Sequence, residues 1–175
     1  MSGEYLDIFD AAGNCTGRAL RSECHGNPAL LHRTSHVVVI HPETGEMLLQ
    51  KRADHKKIQP GKWDTAVGGH LEPGESFEKG ALRELQEELG YRGEVTLIHI
   101  FDAPIRNEIE SEDTRVFGAK ISGPFEFQKS EISELRFWSR AELENPENFD
   151  DFTPNLLTEL QKLKNMDGSW YPSGN

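Results

Sequence analysis

Glu84, Glu87 and Glu88 fall within five consecutive positions of the stretch GHLEPGESFEKGALRELQEELG, residues 69–90. On a helix the spacings i, i+3 and i+4 set these carboxylates on one face. Like charges so placed destabilise an isolated helix by roughly a few tenths of a kcal/mol per pair, and a divalent cation reverses that sign. Carboxylate oxygens and water are the ligands that Mg²⁺ and Mn²⁺ prefer. The competing explanation is a solvated helix face, because glutamate is a good helix former. Taken alone, the three residues favour that plainer explanation.

The surrounding residues must build the element that carries them. Phe77, Ala81, Leu85 and Leu89 recur every four positions, with Leu82 beside them, which makes one apolar helical stripe. Ser76 is an N-cap, Glu78 sits in the first turn, and Gly90 stands where a C′ glycine belongs. A helix over 77–89 is predicted. Upstream, residues from about 4 to 22 read as a β-hairpin with its turn at Ala12–Asn14, and ECHGNPALLH as a loop. SHVVVIH has the unbroken apolar centre of a buried strand. EMLLQKR, DTAVGGH, EVTLIHIFDA, TRVFGAKIS and SELRFWS read as further strands. FTPNLLTELQKLKNM reads as an amphipathic helix capped by Thr153, with Pro154 at its first position. The tail, residues 166–175, reads as loose. The expected class is α+β: a mixed sheet with helices packed on its faces, preceded by a hairpin.

With 175 residues and 35% hydrophobic content, one domain over 1–175 is expected. A net charge of −11 disfavours nucleic acid polymers and anionic membranes as partners. Cys15 and Cys24 give no disulfide framework, and the acidic start MSGEYLDIFD has no apolar leader region. A soluble cytoplasmic protein is expected.

Gly69, Glu75, the run Arg83-Glu84-Leu85-Gln86-Glu87-Glu88-Leu89-Gly90, and Tyr91 match the Nudix box over residues 69–91. Only Tyr91 departs, standing where an aliphatic residue is usual. The sequence therefore resembles the Nudix hydrolases. The resemblance implies a Nudix fold, with the mixed sheet sandwiched between helices (α/β/α). It implies that Glu84, Glu87, Glu88 and the Gly69 carbonyl hold Mg²⁺ or Mn²⁺, and that Arg83 and Glu75 brace the helix against the loop before it. It implies hydrolysis of a small-molecule diphosphate, such as a nucleoside diphosphate linked to a further group. Proteins that resemble this one often pair, so a homodimer is an expectation.

From about Glu4 to Phe152 the chain looks like the branch that includes isopentenyl-diphosphate isomerase. His25, His32, His70, Glu110 and Glu112 fall where that enzyme holds a metal, which implies a second site for Mn²⁺, Zn²⁺ or Mg²⁺. The isomerase's cysteine falls at Gly68, which has no proton to give. Hydrolysis is the first expectation. An isomerase-like activity and a non-catalytic nucleotide-binding regulatory module are the alternatives. Lys51, Arg52, Lys56, Lys57 and Lys62, with Arg18 and Arg21, are candidates for holding phosphates. Glu72 and Glu131 are weaker candidates for a further ligand or base. Trp63 and Phe101 either stack on a base or pack in the core.

Overall fold

A computed structural model describes residues 3–166, 168 and 170–173. Strands β1 (Tyr5–Phe9) and β2 (Cys15–Leu20) pair antiparallel as the N-terminal hairpin, which has its own small core of Leu6, Ile8 and Cys24. A short helix, α1 (Arg21–Cys24), occupies part of the segment expected to be loop. Strand β3 (His32–Ile40) is the centre of the main sheet, as its run of valines requires.

The other strands are β4 (Met47–Arg52), β5 (Trp63–Thr65), β6 (Val67–His70), β7 (Ile98–Asp102), β8 (Ile105–Arg106), β9 (Ser111–Lys120) and β10 (Ile132–Trp138). Their principal order is β10-β4-β3-β9-β7, with β5 on β4, β6 on β3 and β8 on β9. The sheet is mixed, because β3 and β9 run parallel while its other pairs are antiparallel. DTAVGGH is two strands rather than one, and EVTLIHIFDA forms a strand only from Ile98.

Side chains alternate across β3, and so do their cores. Val37 and Val39 pack with Ala81, Leu85 and Leu89 of helix α2 (Phe77–Leu89). Val38 and Ile40 pack on the other face with Leu156, Leu160 and Leu163 of helix α4 (Pro154–Lys164). Trp63, Trp138 and Phe152 complete that second core, joined by Leu143 of helix α3 (Arg140–Glu144). Phe101 packs against it as well, so Trp63 and Phe101 are core residues. None of the described helices is long and apolar enough to cross a membrane.

The tail departs from the expectation of looseness. Trp170 and Tyr171 pack against the second core, and the Trp170 ring lies over Gly118, where a Cβ would come within 2.4 Å of it. Burial of two aromatic faces outweighs the turn-rich composition that suggested a free end. Asp167, Ser169, Gly174 and Asn175 of that tail lie outside the described residues.

Strand β3 changes partner part-way along. Val39 and Ile40 pair with β4, whereas Thr34 to Val37 pair with β6. The sheet therefore divides on that side, and a cleft opens between β4–β5 and β6. Helix α2 is fixed beside this cleft at both ends. Ser76 Oγ accepts from the Lys79 N–H, and Gly90 adopts the left-handed conformation at φ 63°. The terminal carbonyls of Glu88 and Leu89 accept from the N–H groups of Gln128 and Glu126, which satisfies acceptors that a helix end leaves free. A Cβ at position 90 would lie 2.3 Å from the Glu126 carbonyl oxygen. Gly90→Ala is therefore expected to lose on the order of 1–3 kcal/mol of stability, read as a lower urea midpoint at constant m-value. An unchanged midpoint would show that the 126–128 segment does not hold the helix end.

Candidate functional site

Arg83 organises the acidic helix. Its Nε donates to Glu75 Oε1 (3.0 Å), and its Nη2 donates to Glu75 Oε2 (2.9 Å) and to the His70 carbonyl (2.9 Å). Nη1 donates to Glu84 Oε1 (2.8 Å) and Glu87 Oε2 (3.0 Å). The planar guanidinium thus ties α2 to the end of β6 and to the loop between them. Glu75 foremost, then Glu84, hold the Arg83 pKa above its ordinary value. Glu72 lies at the rim, 3.9 Å from Arg83 and exposed.

The helix also lies very close to β6. A Cβ on Gly69 would fall 2.1 Å from the Glu84 carboxyl carbon, so only glycine admits Glu84 there. Glu88 Oε2 accepts from Gln50 Nε2 (3.1 Å) and from the Gly68 N–H (3.3 Å). Burial, reinforced by the nearby Glu84 charge, pushes the Glu88 carboxyl up to about 8. Burial likewise raises Glu84. Glu87 is the most exposed of the three, its side chain 52% accessible. Burial thus works against the charged form of both carboxyls, which a nearby cation would favour.

Of the second set, His32, His70 and Glu112 come together, with His25 beside them and Glu110 against His25. The parallel register of β3 and β9 places His32 beside Glu112, and the antiparallel register of β3 and β6 places Thr34 beside His70. His25 arrives at the end of α1, where the Gly26 N–H donates to the Ile109 carbonyl (2.8 Å) and so brings Glu110 near. His25 Nδ1 lies 3.6 Å from Glu110 Oε2. The His25 and His32 rings lie 5.3 and 5.2 Å from the His70 ring, centre to centre. One ligand atom from each of His32, His70 and Glu112 lies within 4.8 Å of the other two.

The hydrogen bonds say what this cluster lacks. His32 Nδ1 lies 2.9 Å from the Leu30 carbonyl, so it donates there. In a neutral ring that leaves Nε2 as an acceptor, and Nε2 faces Glu112 Oε1 at 3.2 Å. His70 Nε2 lies 3.4 Å from the same oxygen without a directed bond, and His25 Nε2 is also buried and unpartnered. Acceptors that converge in this way need a proton or a metal ion between them, and an Nδ1–H held by a carbonyl is how metal-bound histidines are usually oriented. Without an ion, burial lowers His25 and His70. Burial would also lower His32 and raise Glu112, but their mutual bond prevails, raising the histidine and holding the glutamate far below the usual range. The donor set fits Mn²⁺, Zn²⁺ or Mg²⁺.

Glu88 of the first set and His25, His70, Glu110 and Glu112 of the second line one cavity of about 330 Å³, together with Gly68; Glu84, Glu87, Gly69 and His32 are not in its lining. Of the basic candidates, Arg21, Arg52 and Lys56 reach it. Arg18 instead pairs with Asp7 at 2.8 Å, and Lys51 lies over the Trp63 ring. Glu131 lines the cavity and is bonded to Lys56. Cys15 is exposed on the hairpin and Cys24 is buried beneath it.

Sequence reasoning missed four polar residues. His36 lines the cavity from β3, with its Nδ1 bonded to Glu159 of α4. Gln50 orients Glu88. Asp64 lines the cavity and accepts from Thr153 Oγ1 at 2.8 Å. Burial would lower His36, but Glu159 outweighs it and raises the imidazole to about 9. The available signal was polarity where apolar residues were due: His36 in SHVVVI, Gln50 in EMLLQKR and Glu159 within an apolar helix stripe.

Residues 31–160 match the NUDIX domain. A Nudix hydrolase of Yersinia pestis, described as uncharacterized, is 35% identical over 161 residues, 90% of this chain and 84% of its own. An isopentenyl-diphosphate Delta-isomerase of Streptomyces avermitilis is 31% identical over 164 residues, 91% of this chain and 83% of its own. The crystal structure of DR0079 from Deinococcus radiodurans superposes with a TM-score of 0.74 at 21% identity, over 93% of this chain and 100% of that one. The last likeness is one of fold. The mixed sheet between helices is thus the Nudix fold, and the chain belongs to the Nudix family.

Proposed function

We propose that this protein is a divalent-cation-dependent hydrolase that cleaves a diphosphate linkage in a small anionic molecule. The observation that carries this reading is the approach of Glu84 to Gly69 and of Glu88 to Gly68, beneath the Arg83–Glu75 brace and beside the cavity. Glu84, Glu87, Glu88 and the Gly69 carbonyl are the residues that would hold Mg²⁺ or Mn²⁺. When bound, the ion neutralises phosphate charge and lowers the pKa of the attacking water. The protein's own groups do the rest, since phosphoryl transfer is mainly positioning and electrostatics. Arg21, Arg52 and Lys56 draw the phosphates into the cavity, Gln50 orients Glu88, and Glu84 or a loop carboxylate takes the proton from water. His25, His32, His70, Glu110 and Glu112 would hold a second ion.

A second reading, isomerisation of an isoprenoid diphosphate, is favoured by the gathering of those five residues and by the isomerase-named relative. A panel of diphosphate compounds incubated with Mg²⁺ or Mn²⁺, with products read by mass and retention time, separates the two. Hydrolysis products are expected. A rearranged product of unchanged mass would move the assignment to isomerisation, and a ligand bound but never consumed would move it to a regulatory module.

For the compound turned over fastest, Glu87→Gln and Glu88→Gln are each expected to lose about tenfold or more in rate with the circular dichroism spectrum preserved. Full activity in a folded variant would sink the metal assignment.

The raised Glu88 carboxyl adds a pH signature. Below about 8 it carries a proton in the ion-free protein, and an ion must displace that proton to bind. Apparent Mg²⁺ or Mn²⁺ affinity, measured by calorimetry, is expected to rise with pH and to level off above about pH 8, at a slope of up to about tenfold per pH unit. The slope is expected to flatten in Glu88→Gln. A wild-type affinity independent of pH over that range would contradict Glu88 as a ligand.

A further inference from the structure

Position 68, where the isomerase has its cysteine, is not empty space in this protein. Gly68 is the register partner of His36 across β3 and β6. A Cβ built on Gly68 would lie 3.0 Å from His36 Cδ2 and 3.1 Å from His36 Nε2. The imidazole edge therefore occupies the volume that a side chain at 68 would fill. A functional group reaches that point of the cavity wall from β3 instead of from β6.

The ring's orientation is set from behind. His36 Nδ1 is bonded to Glu159 Oε1. Glu159 is 4% exposed and lies on the face of α4 that carries Leu156, Leu160 and Leu163. A carboxylate buried among leucines is costly unless it is paired and hydrogen-bonded. His36 supplies that partner, and Asp64 lies close enough to add a second negative charge beside the ring. With Nδ1 engaged by Glu159, Nε2 is the ring nitrogen left for another partner. The ring lines the same cavity as Glu88 and Glu112. The cavity wall carries the carboxylates Glu88, Glu110, Glu112, Glu131 and Asp64 and the cations Arg21, Arg52 and Lys56, so an anionic ligand accompanied by its own cation meets partners of both signs there.

We propose that His36, held as an imidazolium by the Glu159 carboxylate at Nδ1, is a substrate-contacting residue whose Nε2–H donates to an oxygen of the bound diphosphate. Gly68 is what admits the ring to that position. The proposal rests on the hydrolase reading above, in which a diphosphate and its cation enter this cavity. A buried ion pair that does no more than pin α4 to β3 is the alternative.

The test uses the full chain and methylenediphosphonate, a diphosphate analogue that cannot be hydrolysed at its bridge. Calorimetry in Mg²⁺ reads analogue affinity for the wild type and for His36→Gln, and a parallel titration reads Mg²⁺ alone. The ¹⁵N resonance of His36 Nε2 is followed in the wild type as analogue is added. The expected result is a loss of about tenfold in analogue affinity for His36→Gln, unchanged Mg²⁺ affinity, and a shifted Nε2 resonance. An unmoved resonance, or an unchanged affinity in the folded variant, overturns the role of His36 and leaves the hydrolase reading standing. Absence of any Mg²⁺-dependent analogue binding to the wild type overturns both. Where His36→Gln does not fold, the wild-type resonance decides, because it requires no variant.

Discussion

The contact between helix α2 and strand β6 is closer than side chains ordinarily allow. Gly69 leaves the gap that Glu84 fills, and the Gly68 N–H reaches Glu88 directly. Nothing apolar separates the acidic helix from the strand at this point, so electrostatics must hold what packing does not. Arg83 does this with one planar group that engages Glu75 at both oxygens while reaching Glu84, Glu87 and the His70 carbonyl. A lysine would offer one point charge in place of this fork. Glu75, Glu84, Glu87 and the end of β6 are thereby held to one guanidinium beside the cleft.

The two acidic groups answer burial in opposite ways. Glu88 sits among carboxylates and polar donors and is pushed toward its neutral form. Glu112 sits among histidines and is held in its charged form. The difference lies in the neighbours, because both are desolvated. In the first set Arg83 reaches Glu84 and Glu87, whereas Glu88 has only the neutral donors of Gln50 and Gly68. In the second, His32 alone is raised toward its charged form and so pairs with Glu112, while burial lowers His25 and His70.

Local patterns were legible in the sequence, and distant ones were not. The α2 boundaries, its Ser76 cap and its Gly90 stop come from residues within one or two turns of each other, and the structure places them at the positions the spacing predicts. The shared face of Glu84, Glu87 and Glu88 follows from the same short-range periodicity, and their reading as a cation site came from the resemblance of the 69–91 pattern to the Nudix box. The second set was legible only through family resemblance, because His32 and Glu112 are joined by a parallel pairing that no local pattern reveals. His36, Asp64 and Glu159 escaped altogether. Each is a single polar residue in an apolar or mixed run, and its partner lies far away in the chain. The tail misled for a related reason: its glycine, serine and proline content suggested looseness, and the surface that receives Trp170 belongs to Gly118 of another strand.

The two clusters also differ in how much of the chain must be ordered to make them. Residues 69–88 assemble the glutamate set almost alone, from contacts of short sequence separation. The histidine set spans residues 25 to 112 and needs the N-terminal hairpin, α1 and the β3–β9 pairing in place together. Contacts of long separation pay their loop-closure entropy late in folding. Anchored by bonds from the Phe9 N–H to the Leu31 carbonyl and from the Gly74 N–H to Asp7 Oδ2, the N-terminal hairpin couples the segment that carries Arg21 and His25 to the loop that leads into α2.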